Sequence, residues 1–373
     1  MIYFLAPADV LFCMDHYVRR NRLDDLVQSI SYDQILDRGI LPPGSYIFAA
    51  LDQITPTEAK LIARAWDLLS KELPGASLMN DPRRVLLRYP LLKAAHAAGD
   101  CNFRVHRASR VPANLRLPAF VRCERDHTGN LTPLLHSRAQ ISIWTARLLA
   151  GGYRLRDLIV CEFEDTSEDG VFRKYSAQCI HGQIIPRSLV VNRDWLTKDD
   201  GRILNAQTTR EDFEFSEQNP HESWLKAIFA RAGIAYGRAD YAVVDGKPLL
   251  WEINTNPTVG PGQHDDPLQP RPGRHVLRPA REIFRKRFLN ALVAADYQGD
   301  RTGSIDLGVT GRERRALSRE RTDAARIAAH RTFVSSLAGP PIRMLRHLEK
   351  ATRAWISSGE PAVPGESEME SGD

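Results

Sequence analysis

Two short stretches in the 373-residue chain carry the residue types best suited to chemistry. Gly237-Arg238-Ala239-Asp240 places an aspartate in an apolar stretch, flanked by Ala239, Tyr241, Ala242, Val243 and Val244. After a turn, Leu250-Trp251-Glu252-Ile253-Asn254-Thr255-Asn256-Pro257 places a glutamate and an asparagine two residues apart. Successive strand residues point to opposite faces, so Glu252 and Asn254 share one face and Ile253 takes the other. The link Val244-Asp245-Gly246-Lys247-Pro248 contains Asp-Gly, a strong hairpin signal. Closing that hairpin brings Asp240 beside Glu252 and Asn254. The resulting cluster of hard oxygen donors suits magnesium, which proteins hold with a few carboxylates plus substrate phosphates. A solvated hairpin with ordinary charges is the plainer alternative, and the apolar flanks of Asp240 fit it poorly.

Elements on either side must position this hairpin. Residues 1 to about 77 read as a small α/β unit, with strands over Ile2 to Leu5 and Tyr46 to Ala50. Thr55-Pro56-Thr57-Glu58 opens a helix that runs through Leu61, Ile62, Ala65, Leu68 and Leu69 and stops near Pro74-Gly75. Residues 78 to 155 read as a second unit. It begins at an Asn80-Asp81-Pro82 turn or cap and continues with a helix over Arg88 to Ala98, a strand over Phe120 to Glu124, a polar loop, and a helix over Ser137 to Leu149. From 156 to 299 the spacing predicts strands over Leu158 to Phe163, Val171 to Cys179, Gln183 to Val191, Tyr236 to Val244 and Pro248 to Asn254. One helix, Glu222 to Ala232 before the Gly233 stop, interrupts them, and another covers Arg278 to Ala294. The whole reads as a mixed α/β and α+β protein. Residues 300 to 358 contain two basic amphipathic helices, Gly311 to Leu337 and Pro341 to Ile356. Residues 359 to 373 are rich in Pro, Gly, Glu and Ser and are expected to be disordered.

Composition narrows the class. Hydrophobic residues make up 43% and charged residues 26%, ordinary for a folded enzyme. The net charge of +5 is unevenly placed: Arg301 to Arg353 carries twelve Lys or Arg against five acids, and the last twenty residues carry five acids and no base. The main body is left near +3 once these ends are set aside, which does not suit a nucleic-acid platform. Cys13, Cys101, Cys123, Cys161 and Cys179 show no metal or redox spacing, and an odd, sparse set fits a reducing cytoplasm. No apolar run is long enough to span a bilayer. The sequence also lacks His-Glu-x-x-His, a Gly-x-Ser-x-Gly elbow and a Walker loop.

The Arg-x-Asp and Glu-x-Asn-x-x-Pro runs together resemble the ATP-grasp superfamily. The resemblance implies an ATP-grasp fold over roughly residues 78 to 295, with an N-terminal α/β domain before it and the helical extension after it. It implies that Asp240, Glu252 and Asn254 hold two magnesium ions, with manganese as a substitute, against ATP. It places Arg238 over the transferred phosphoryl group, and Lys93 and Arg122 at the phosphates from the small lobe. Relatives usually have lysine at the Arg122 position, and a planar fork is not equivalent to a point charge. The loop Glu124 to Asn130 has one glycine where many relatives have several. Glu162, Phe163, Glu164 and Asp165 match the lobe connection that meets adenine and ribose. Arg173 and Lys174 match the next strand. They face opposite ways, so Lys174 is assigned to the nucleotide and Arg173 to substrate. Arg187, Asn256 and His264-Asp265-Asp266 are further substrate candidates, with a strand-edge charge the plainer alternative for Arg187.

The reaction implied is ATP-dependent ligation of a small-molecule or peptide carboxylate to an amine through an acyl-phosphate, with release of ADP. A small-molecule phosphotransferase and a non-catalytic ATP-binding regulator are the alternatives. The intact Asp240, Glu252 and Asn254 set argues against the last. Relatives often form homodimers. The basic C-terminal helices would suit an acidic partner, a membrane surface or the catalytic body itself, and a solvated face is their plainest reading.

Overall fold

The computed structural model describes residues 1–126, 129–199, 201–259 and 273–337. The helix expected at Pro341 to Ile356, the acidic tail and His264-Asp265-Asp266 lie outside them. The chain starts with β1 (Ile2–Ala6), α1 (Phe12–Asn21), β2 (Val27–Ser31), α2 (Tyr32–Arg38), β3 (Ile40–Leu41), β4 (Ser45–Phe48), α3 (Pro56–Glu72) and β5 (Leu78–Met79). Strands β2, β1, β4 and β5 form a parallel sheet in that order. All five residues of β1 are buried, as a central parallel strand covered on both faces requires. Ile2 and Phe4 pack with Met14 and Tyr17 of α1 on one side. Tyr3 and Leu5 pack with Leu61, Ile62 and Leu69 of α3 on the other. The expected start of α3 is present: Thr55 and Glu58 close a reciprocal capping box with Pro56 in the first turn.

Next come α4 (Arg88–Ala98), β6 (Val105–Arg107), β7 (Ala119–Cys123), α5 (Arg138–Ala150) and β8 (Leu158–Glu162). β8 pairs antiparallel with both β6 and β7. The sequence reading grouped it with the later strands, but its partners are the earlier ones. A continuous apolar run states that a strand is buried and does not name its neighbour.

β9 (Ser167–Glu168), β10 (Val171–Ile180), β11 (Gln183–Asn192), α6 (Ala206–Gln218), α7 (Glu222–Ala232), β12 (Tyr236–Val244) and β13 (Lys247–Asn254) follow. The long strands run β11-β10-β12-β13, with antiparallel pairing throughout. The predicted Asp245-Gly246 turn joins β12 to β13, with φ of 50° and 74°, the left-handed pair that a tight hairpin needs. Helix α6 corrects the expectation of a single interrupting helix. Its start was readable as a capping box, Asn205 with Thr208, ahead of a weakly apolar stretch. Asn80, itself at φ 72°, ties the parallel sheet to the antiparallel one. Its amide donates to Phe48 and Tyr236 carbonyls at 3.1 and 2.9 Å and accepts from the Ala235 and Tyr236 N–H groups.

The described part ends with α8 (Arg278–Ala295), β14 (Ile305–Asp306) and α9 (Gly311–Leu337). α8 places Phe284 and Phe288 against the β1 face that α1 covers. The basic helix α9 uses its charges within the chain. Arg321 meets Asp33, Asp37 and Glu58 at 2.8, 2.9 and 3.2 Å, and Arg64 meets Glu313 at 2.5 Å. Farther along, Arg331 donates to the Gly152 carbonyl at 3.3 Å and lies over the Tyr153 ring. Among the described residues these contacts tie the helix to the body of the chain.

Candidate active site

The antiparallel sheet positions the chemistry through register. Asp240 pairs directly with Glu252, and Arg238 pairs directly with Asn254. Directly opposed residues of an antiparallel pair have Cβ atoms about 5 Å apart on the same face. Four polar side chains therefore stand as a two-by-two block on adjacent strands. On the other side of β12, Ser176 pairs with Asp240, and Lys174 lies two residues before Ser176 on the same face of β10. A bulge after Asp240 leaves Trp251 without a counterpart on β12. Bulges bend the strand and re-aim side chains beside active sites.

The block is charge-balanced by arginines. Arg238 donates through Nε and Nη2 to the two oxygens of Asp240, at 2.8 and 3.0 Å, and the Ser176 hydroxyl donates to Asp240 Oδ1 at 2.8 Å. Glu252 Oε2 accepts from Arg122 Nη2 at 2.6 Å and from Arg88 Nη2 at 3.3 Å. Burial would lower the Arg122 pKa, and the facing Glu252 charge more than offsets it, holding the guanidinium above its ordinary value. Arg238 is shifted the same way, burial again opposed by Asp240 and then Glu252. Both arginines stay charged, so the site presents fixed positive charge beside two carboxylates.

A cleft of about 260 Å³ opens between this sheet and the three-stranded one. Phe120, Phe163 and Trp195 form an aromatic wall, with Trp195 ring centroids 5.3 and 5.5 Å from Phe120 and Phe163. Arg122, Lys174, Arg238, Asp240 and Glu252 supply the polar part of the lining. An apolar slot next to a cationic and acidic part is the shape that a base and a polyphosphate would fill.

Other sequence candidates are placed differently. Lys93 lies on the exposed side of α4, its ammonium 5.8 Å from the Tyr89 ring centre. A helix turns about 100° per residue. Arg88, Leu91, Leu92 and Ala95 therefore share the buried face, and Arg88 takes the inward position expected of Lys93. Arg88 also holds the loop after β7, donating to the carbonyls of Cys123 and Asp126 at 2.7 and 2.9 Å. Its signal was an arginine in phase with an apolar helical stripe.

Glu162 is 2% exposed and serves as a brace. It accepts from the backbone N–H groups of Arg104 and Arg116 at 3.1 and 3.0 Å and pairs with the Arg104 guanidinium at 2.7 Å. These bonds occupy the carboxylate that the ribose role would need. The Phe163 N–H is given to the Pro118 carbonyl at 2.9 Å, so this residue offers the cleft its ring. Asp165 is exposed and accepts from the Ser167 N–H at 3.0 Å, whereas Glu164 lines the cleft and pairs with Arg116 at 2.5 Å.

Arg173 and Lys174 do face opposite ways: Arg173 meets Glu211 at 3.0 Å and Glu168 at 3.4 Å, away from the cleft. A substrate contact from Arg173 therefore does not fit this arrangement. Asn256 is buried, donating its N–H to Asn254 Oδ1 at 2.7 Å and its amide to the Val10 carbonyl at 3.3 Å. It shapes the end of β13. Arg187 lies over the Phe284 ring, 4.6 Å from its centre. All five cysteines are buried free thiols, and burial pushes Cys161 and Cys179 up to about 11, as inert small residues require.

The units stand in the order implied by the resemblance: a parallel N-terminal sheet, a small antiparallel sheet, then a larger antiparallel sheet bearing Arg238, Asp240, Glu252 and Asn254. No family model and no curated protein matches the sequence. Among solved structures, the chain is similar to a D-alanine–D-alanine ligase from Bacillus anthracis, with 12% identity, 79% of this chain and 96% of that chain covered, and a TM-score of 0.47. It is similar to an L-amino acid ligase from Bacillus licheniformis, with 12% identity, 78% and 73% covered, and a TM-score of 0.42. It is also similar to an N5-carboxyaminoimidazole ribonucleotide synthetase from Thermus thermophilus, with 17% identity, 68% and 71% covered, and a TM-score of 0.42.

The donor set of this site fits magnesium. Among the described residues no group of three or more His, Cys, Asp and Glu side chains comes together. The set is instead two carboxylates and one amide, all hard oxygen donors. That is too few to enclose an ion and enough to hold one whose remaining positions go to phosphate and water. Asp240, Glu252 and Asn254 would hold it.

Proposed function

We propose that this chain is an ATP-dependent carboxylate–amine ligase that releases ADP. The observation that carries this reading is the block of Arg238, Asp240, Glu252 and Asn254 beside Lys174 and Arg122, in the polar part of an aromatic cleft. The aromatic wall takes the base and the polar part takes the phosphates. Magnesium, when bound, neutralises charge on the phosphates. Lys174 and Arg122 add fixed positive charge there, and catalysis of phosphoryl transfer is mostly such positioning and electrostatics. A substrate carboxylate oxygen bonds to the γ-phosphorus as the bond from that phosphorus to the β–γ bridging oxygen breaks, and ADP leaves. An amine then bonds to the acyl carbon, inorganic phosphate leaves, and the amine loses a proton. Arg238 stands where oxyanion charge would develop on that carbon.

Isotope transfer tests the reading. A pool of carboxylates labelled with oxygen-18 is incubated with amines, Mg-ATP and the protein. Labelled oxygen in the released phosphate is the expected result, because the carboxylate oxygen leaves with phosphorus. ADP with unlabelled phosphate, or a stable phosphorylated acceptor formed without amine, would overturn it.

A further inference from the structure

Helix α9 is polar along most of its length, yet it runs for 27 residues, about 40 Å. A polar helix with no apolar stripe of its own is the kind that bridges one packed unit to another. Its two ends meet different units. Near the start, Leu317 is 1% exposed and packs in the core that holds Leu61, Ile62 and Leu69 of α3. Glu320 accepts from the Thr57 N–H and hydroxyl at 3.0 and 2.8 Å, beside the Arg321 contacts with Asp33, Asp37 and Glu58. Residues 322 to 326 and 328 to 330 are exposed. About 15 Å beyond Arg321 along the helix axis, Arg331 meets Gly152 and Tyr153. These two residues join α5 to β8, and Tyr153 packs on the core of the three-stranded unit, around Val121, Leu148 and Val160. A Cβ on Gly152, which sits at φ 84°, would lie 2.7 Å from the His330 ring, so α9 approaches this turn closely.

The three-stranded unit supplies one wall of the cleft, through Phe120, Arg122 and Phe163. The other wall is the antiparallel sheet, which Asn80 and α8 fasten to the parallel sheet. A cleft between two sheets widens when one sheet moves against the other. Resting on the nucleotide site read above, we propose that α9 is a strap that limits how far the three-stranded unit swings from the rest, and so sets how fast a nucleotide leaves the cleft. One end of the rod is locked in the α3 core and the other sits on the Gly152 turn, so its fixed length holds the wall in place. Breaking the rod, or freeing its far anchor, lets the wall open.

Two variants test the strap at different points. Arg331→Ala removes the far anchor. Ala328→Pro breaks the helix within its exposed span and leaves the side chains of both anchors in place. Ala328→Ser is the control. Amide exchange of the full-length protein is followed peptide by peptide with mass spectrometry, and release of a fluorescent ATP analogue with magnesium is followed by stopped flow. In both variants exchange in β6, β7 and β8 and release of the nucleotide should each be about tenfold faster, as loss of a charged hydrogen bond and a cation–ring contact implies. The parallel sheet should exchange as in wild type, and Ala328→Ser should match wild type throughout. Unchanged exchange in either variant, exchange raised equally in the parallel sheet, or faster exchange with unchanged release would overturn the strap. Failure of the wild type to bind the nucleotide would overturn the reading of the cleft beneath it, and the exchange pattern would still decide whether α9 holds the three-stranded unit.

Discussion

Replacing Glu252 by glutamine should weaken the fold and the metal response together, because the same carboxylate serves both. Its Oε2 lies 2.6 Å from Arg122 Nη2 and 3.3 Å from Arg88 Nη2. At an effective dielectric constant of about 20, the shorter contact alone is a gross attraction of about 6 kcal/mol. Desolvation of both charges offsets much of that, and removing one partner of a buried pair costs about 3–5 kcal/mol. The Glu252 side chain keeps 20% of its exposure, while Arg88 keeps 5% and Arg122 12%. That partial solvation trims the expected loss to about 2–4 kcal/mol. Glutamine preserves the shape, so the loss reports charge. The assay is urea unfolding of wild type, Glu252→Gln, Arg122→Met and the double variant. The double variant should fall short of the summed single losses by about 1–3 kcal/mol. In parallel, magnesium should tighten ATP binding to wild type and do little for Glu252→Gln. Additive losses within about 0.5 kcal/mol, or an undiminished magnesium effect, would refute the reasoning.

Three further outcomes are expected. Trp195→Ala should weaken ATP binding roughly 10- to 100-fold, as loss of one base-stacking surface costs about 1–3 kcal/mol, with Trp195→Phe retaining most of it; equal affinity of all three proteins would remove the aromatic wall from the base site. At Glu162, burial alone would raise the pKa, but hydrogen bonds from Arg104 and Arg116 prevail and hold it below the ordinary 4.5. A carboxylate lowered on folding stabilises the fold above its unfolded pKa and loses that as pH falls through the folded one. The stability gap between wild type and Glu162→Gln, measured by urea unfolding, should therefore be full at pH 7 and narrow below about pH 4.5; a gap independent of pH would contradict the brace. Arg321→Ala removes three carboxylate contacts of α9 and should cost about 1–2 kcal/mol, with faster amide exchange along the helix. Unchanged exchange would show that these pairs do not hold the helix down.

What was legible in the sequence was local. Helices Arg88–Ala98 and Glu222–Ala232 and strand Tyr236–Val244 stand where periodicity, glycine stops and apolar runs put them. Arg238, Asp240, Glu252 and Asn254 were legible because one Asp-Gly hairpin brings them together within seventeen residues of chain. What depended on distant pairing was not. The partners of β8, the inward turn of Arg88 and the contact of Trp195 with Phe120 and Phe163 join segments far apart in the chain. Strand alternation correctly separated Arg173 from Lys174, but it could not foresee the bulges at Arg187 and Trp251, which break that alternation. The bracing contacts of Glu162 were not legible either, because a carboxylate at the end of a strand looks the same whether it meets a ligand or two backbone N–H groups.

The most direct test of the central claim is mass spectrometry of the purified protein incubated with Mg-ATP and a pooled library of carboxylates and amines, with Glu252→Gln in parallel. The ligase account predicts ADP together with a new mass equal to one acid plus one amine less one water, both absent with the variant. Mg-ATP binding without ADP or a condensed product across the pooled acids and amines would contradict it.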